Sequence, residues 1–277
     1  MRGMVWGAVV AVTAVAGVGP VWAQSAGPAT ENALTPQEQQ QWQQAGQAFS
    51  AGRYADALAI YKPLHTAHPG DARIAKFAAE SAIDTGDAAY AKGILEPMET
   101  ANPDDWQATA LLARLYAETG DAKDRDAQMA HMDELYRKGL IPARLQQYLI
   151  EKVTAQGKAI WIWHSLAPWG DFRVYDYARV VDPNGQTLMR ITLESSDFDQ
   201  PQFQHDHPQQ AAEGKRLFSL DGYKDQGATP DGGHREMHIT FGFLIGEPTY
   251  DEVRTDFIRI ATGTWKPVSS NTHPAAQ

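Results

Sequence analysis

The chain has 277 residues, 43% of them hydrophobic and 21% charged, and a formal net charge of -10. With a soft prior of about 100 to 200 residues per domain, this length points to two domains, and the composition excludes a disordered acidic tail. Cysteine is absent, which removes disulfides, cysteine nucleophiles, iron–sulfur clusters, thiolate zinc sites and bacterial lipidation together; an acidic chain without a basic run also argues against nucleic-acid partners and membrane-surface attachment.

Residues 1–23 read as a secretory signal peptide. Arg2 supplies the positive start, Met4 to Val18 is an uncharged apolar run, Gly19-Pro20 breaks it, and Val21-Trp22-Ala23 ends on the small residue that a signal peptidase needs. The apolar stretch is shorter than the roughly 20 residues that span a bilayer, so a periplasmic or secreted location is expected, with no stable membrane insertion after cleavage. Residues 24–34 are small, polar and proline-containing, as in a linker.

Thr35-Pro36 then opens a helix, with Glu38 placed to complete a capping box. From here the chain repeats every 34 residues. Ala45, Ala79 and Ala113 stand in register, as do Gly52, Gly86 and Gly120; Ala48 matches Ala82, Ala57 matches Ala91, and Pro69 matches Pro103. Small residues let two helices approach closely, glycine accepts the left-handed reversal between them, and proline ends the second helix. Tyr61 and Leu95 follow Ala57 and Ala91 by one turn on the face expected to be buried.

This punctuation resembles the tetratricopeptide repeat family over about residues 38 to 139. The third copy departs from it: Arg125 stands where the second-helix alanine belongs and Arg137 replaces the proline, as suits a terminal repeat that meets a different neighbour. The resemblance implies stacked helix pairs that bind a protein or peptide partner through their first helices. The corresponding positions are Trp42, Phe49, Arg73, Lys76, Glu80, Gln107 and Arg114. Their basic members suit a carboxylate or an acidic peptide, while a solvated face with ion pairs such as Lys76 with Glu80 explains the same residues. The carboxylate-clamp variant needs Lys and Asn where this chain has Trp42 and Gly46.

Pro142 to Gln156 reads as a capping helix, because Leu145, Leu149 and Val153 recur at four-residue spacing. After Lys158 the period shifts toward two. Strands are expected from Ile160 to Trp163, Phe172 to Val181, Gln186 to Glu194, Arg216 to Leu220 and Glu236 to Ile245, with a hairpin turn at Asp182-Pro183-Asn184-Gly185. Asp199 to Glu213 fits a loop or a short helix. Thr249 to Ala261 reads as a helix closed by Gly263. The fold class is α+β: a helical repeat domain over residues 35–157 with three units and the capping helix, then an antiparallel sheet of about five strands with a C-terminal helix over 158–265, and a loose tail at 266–277.

Few signatures of chemistry appear. His234, Glu236 and His238 alternate on one strand face and, with His205 or His207, make a mixed zinc site conceivable; the polar face of a half-exposed strand accounts for them equally. Ser219 lacks the glycines of a nucleophile elbow. Trp161, Trp163, Trp169, Phe172, Tyr175 and Tyr177 could stack a sugar or peptide ring, or simply form the core of a small sheet. The reading that follows is an exported adaptor without cofactor or catalytic residue; the alternative is a metal-dependent or carbohydrate-acting enzyme in the sheet domain, tethered by the repeats. Oligomeric state is open.

Overall fold

A computed structural model describes residues 34–166, 172–196, 200–246 and 248–266. The expected leader, nearly all of the linker, Trp169 and all of the tail after Lys266 lie outside these residues. The chain divides into two compact units, Met1–Ile94 and Leu95–Gln277.

The first unit holds helices α1 (Pro36–Ser50), α2 (Tyr54–Ala67), α3 (Ala72–Thr85) and the start of α4 (Ala88–Ala101). Thr35 caps α1 as expected: its hydroxyl accepts from the Glu38 amide, and the Glu38 carboxylate accepts from the Thr35 amide. The Thr35 amide and the His68 ring, both bonded to the Glu38 carboxyl, hold it well down, at about 2. Asp71 caps α3 by accepting from the amides of Arg73 and Ile74. The small residues sit where close helix packing needs them, since Ala45, Ala57, Ala79 and Ala91 are all 0% exposed. Gly52 and Gly86 take φ of 72° and 80°, the reversal that a side chain would strain. Pro63 and Pro97, also in repeat register, lie inside α2 and α4 one turn before their ends.

The second unit carries the third helix pair, α5 (Trp106–Thr119) and α6 (Ala122–Arg137), and six strands: β1 (Gln147–Ala155), β2 (Lys158–Ser165), β3 (Phe172–Val181), β4 (Thr187–Ser196), β5 (Leu217–Ala228) and β6 (His234–Ile245). They form one antiparallel meander in chain order. Two short helices, α7 (Gln200–Asp206) and α8 (Pro208–Ala212), fill the segment between β4 and β5, and α9 (Tyr250–Thr262) follows β6. Thr249 caps α9 in a capping box with Glu252, and Gly263 ends it at φ 72°.

The expected capping helix is corrected to strand β1, which makes six strands rather than five. The four-residue spacing of Leu145, Leu149 and Val153 is overridden by alternation: Tyr148 and Ile150 are buried while Leu149 and Val153 are only partly so. A two-residue turn closes β1 onto β2, with Ala155 opposite Lys158 and positive φ at both Gln156 and Gly157, the geometry that tight hairpins require. Glu151 is also buried, because a register shift between Leu149 and Glu151 turns consecutive residues inward. Residue 157, the expected domain boundary, thus falls in a hairpin turn.

One continuous core joins the third helix pair to the sheet. Ala110, Ala113, Met132 and Leu135 from α5 and α6 pack in the same cluster as Tyr148, Ile150, Ile160, Ile162, Ala178 and Ile191 from the strands and Val253, Phe257 and Ile260 from α9. Ile150, Ile160 and Phe257 are each 0% exposed, worth about 1.5–3 kcal/mol apiece relative to an exposed side chain.

Candidate binding surfaces

The first-helix residues expected to meet a partner occupy three kinds of place. Trp42 and Phe49 on α1 belong to an aromatic cluster with Tyr61 and Phe77: Trp42 lies edge-on to Tyr61 at 5.4 Å and to Phe77 at 5.2 Å, and Phe49 meets Phe77 at 5.5 Å. Phe49 is buried and Trp42 half-buried, so both first serve to pack α1 onto α2 and α3. Around Trp42 the outward side of α1 is rich in glutamine, with Gln39, Gln40, Gln43, Gln44 and Gln47 exposed. Each side chain of this amide-bearing face is both donor and acceptor, and the sequence shows it as a run of glutamines leading up to the buried Ala45.

On α3, Arg73 is exposed and clasps the capping Asp71, with Nη2 to Oδ2 at 2.8 Å. Burial of Asp71 would raise its pKa, but the Arg73 guanidinium and the helix amides carry it below its ordinary value. One turn on, Lys76 and Glu80 are 9% and 5% exposed. Charges held that deep need a compensating interaction, and both residues have one. In the second unit Gln107 is partly buried, and Arg114 is 2% exposed, its Nε donating to Glu118 at 2.8 Å and its guanidinium 5.7 Å from the Trp161 ring. Glu118 in turn accepts from the Lys152 amide of β1 at 3.0 Å. Arg114 therefore pins α5 to the sheet.

The departure at Arg125 in the third repeat has the same effect. Arg125, where the other units have alanine, is 5% exposed; it donates to Asp251 of α9 at 2.7 Å and to Asp126, and stacks 4.7 Å from the Tyr250 ring. Beside it Glu151 of β1 accepts from the Tyr250 hydroxyl at 3.1 Å and from Arg254. Burial pushes the Glu151 carboxyl up, with Arg254 opposing. A second polar group lies across β1 to β3: His164 Nδ1 meets Asp176 Oδ1 at 2.6 Å, and the Tyr148 ring packs edge-on to His164 at 6.0 Å. Burial alone would lower the His164 pKa, but the Asp176 carboxylate, helped by Asp133 on α6, raises it above the ordinary value. Burial raises Asp133 itself.

The opposite face of the sheet from α9 is aromatic and charged. Cross-strand register places Trp161, Arg179, Arg190, Tyr223 and His238 in one row and Trp163, Tyr177, Thr192, Asp221 and Thr240 in the next. Trp163 and Tyr177 pack at 5.3 Å, and Tyr223 and His238 stack at 4.9 Å and 12°. Two of the three residues considered for a metal lie here, each already paired: Glu236 with Arg190, and His238 Nε2 with Asp221 at 2.7 Å, with Thr240 donating to the same carboxylate. The side chain of His234 lies outside the described set. Among the described residues no three His, Asp or Glu groups converge as metal ligands, and His205 instead meets Asp206 on α7.

With these elements placed, comparison with known families finds that residues 48–115 match the tetratricopeptide repeat. The protein contains tetratricopeptide repeats. The matched stretch runs from late α1 into α5, so it takes in the second helix of the first unit, the whole second unit and most of the third unit's first helix. No curated protein and no solved structure matches the chain. The repeats mark a protein-interaction module. Two contributions escaped the sequence reading, the anchoring roles of Arg114 and Arg125. The signal for Arg125 was present: a long cation where its two counterparts are alanines.

Proposed function

We propose that this protein is an exported adaptor whose tetratricopeptide repeats hold a protein or peptide partner, with no covalent step. The observation that carries the reading is the 34-residue recurrence of buried alanines and left-handed glycines within the segment that matches the repeat family. In the first unit Trp42, Arg73 and the glutamine side of α1 offer ring, cation and amide contacts, and in the second unit Gln107 offers an amide. Phe49 packs behind Trp42 through the shared Phe77 ring. Export is supported by the basic, apolar and small-residue pattern of residues 1–23, and places the adaptor in the periplasm or outside the cell.

Affinity capture from an extract of the producing cell's envelope, comparing the wild type with an Arg73→Glu, Gln107→Lys double variant, tests the binding surface. The adaptor reading expects a partner recovered by the wild type and lost by the folded variant; equal recovery by both contradicts it. N-terminal sequencing of the exported protein is expected to begin at Gln24, and a retained leader contradicts export by cleavage.

A further inference from the structure

The face of the sheet that α9 covers is not filled to its end. Beside the last turn of α9 lies a cavity of about 290 Å³, walled by Val180 of β3, Leu188 and Met189 of β4 and Ile260 of α9. Leu188 and Met189 both reach it because the β3–β4 register shifts there, with Val181 opposite Thr187 and Val180 opposite Met189. The charged residues of the lining are Lys158 of β2 and Lys224 of β5. Lys158 donates to the Ala261 carbonyl at 2.8 Å; an ammonium has three donors, and a neutral carbonyl takes one without cancelling the charge. Lys224 is exposed, and among the described residues neither lysine pairs with a carboxylate. Apolar surface is also left open here: Leu188 is 39% exposed, and Met237, 37% exposed, stands directly opposite Lys224 on β6. We infer that this cavity binds a medium-chain fatty acid, its carboxylate held by the two lysines and its chain against Leu188, Met189 and Ile260.

Volume, polarity and charge together select that ligand. Small-molecule sites run upward from about 300 Å³, so the cavity admits a tail of about eight to twelve carbons rather than a folded surface. No aromatic ring lines it, and the Thr262 hydroxyl at its edge already donates to the Ile258 carbonyl. A sugar or a nucleotide base would find neither a stacking plane nor a set of free polar partners. A small dense anion such as phosphate would meet the wrong end of a helix, since the last turn of α9 presents carbonyls rather than amides. Those carbonyls are covered, Ala261 by Lys158 and Ile260 by the Gly263 amide. Lys224, the exposed member of the pair, draws a single carboxylate to the rim while the chain enters the apolar part. An uncharged hydrocarbon would leave both cations unused, and a cationic amphiphile would be repelled by them. The two lysines are thus the selective element, set in a chain whose net charge is -10.

The test is isothermal titration of the full-length protein with hexanoate, octanoate and decanoate below their micelle concentrations, alongside decanol and decyltrimethylammonium. Saturable binding of decanoate is expected, with affinity rising about threefold per added CH₂ along the series and falling as salt is raised. Decanol is expected to bind severalfold more weakly, and the cation not at all. Lys224→Glu, at an exposed position that folding does not depend on, should weaken decanoate about fivefold or more. Lys158→Gln keeps a donor for the Ala261 carbonyl while removing the charge, and should weaken it severalfold. Arg73→Glu on the repeats should leave binding unchanged. Absence of saturable decanoate binding overturns the proposal, as does decanol binding as tightly as decanoate. Decanoate binding that neither lysine substitution alters, or binding confined to phosphatidylglycerol vesicles, overturns it equally.

Discussion

The second helices of the first and third repeats use the same position in opposite ways. In the regular units Ala57 and Ala91 are fully buried, and their smallness is the point: it lets neighbouring helices close on each other. In the third unit the equivalent residue, Arg125, is nearly as buried but reaches outward to Asp251 and Tyr250 of α9. A helical repeat array must end somewhere, and its last unit has an exposed flank that a further repeat would have covered. Here the third pair shares its core with a sheet, and the substituted arginine joins it to the helix that packs on that sheet. The departure from the repeat pattern is therefore an adaptation to a new neighbour rather than decay of an old one.

The comparison can be broken by exchanging the two solutions. Ala57→Arg places a long cation in a fully packed site where no carboxylate waits; overpacking and an unpaired charge are each costly, and a loss of about 3–5 kcal/mol in urea denaturation is expected. Arg125→Ala leaves a cavity and unpairs Asp251, but that side chain is 60% exposed and water solvates it. A smaller loss of about 2 kcal/mol is expected, with the change concentrated in the transition that reports the sheet. A loss at Arg125 exceeding that at Ala57 would invert the account.

Two lesser effects sharpen it. Gln156 adopts φ 49° in the β1–β2 turn, so Gln156→Gly is expected to stabilise the protein by about 0.5–1 kcal/mol, and Gln156→Val to destabilise it; a helix at this place would respond in the opposite sense to glycine. The His164 pKa is raised in the folded protein, so its contribution to stability is full below about pH 6.5 and fades as pH climbs through the raised value. His164→Gln should remove that part of the pH dependence, read as midpoint denaturant concentration against pH. A slope identical to that of the wild type would deny the Asp176 pairing its role.

The repeats were legible because local rules and global packing agree there. Small residues at fixed spacing, glycines at the reversals and the capping residue Thr35 each dictate one structure. Residues 142–156 were misread because Leu145, Leu149 and Val153 satisfy a helical period by themselves, whereas the strand depends on partners across the turn at Gln156-Gly157 that no local window contains. The binding residues were only half legible for the same reason. A first-helix position can be assigned from the repeat, but whether Phe49 or Arg114 faces solvent or a neighbour depends on Phe77 in one case and Trp161 in the other. On the sheet, aromatic content was visible in the sequence, but its separation from the α9 face follows from strand register.

The central claim is that the third repeat is fastened to the sheet's helix through Arg125. A double-mutant cycle between Arg125→Ala and Asp251→Ala, measured by reversible urea denaturation, tests it most directly. The account predicts a coupling of about 1 kcal/mol or more, and additivity within about 0.3 kcal/mol would contradict it.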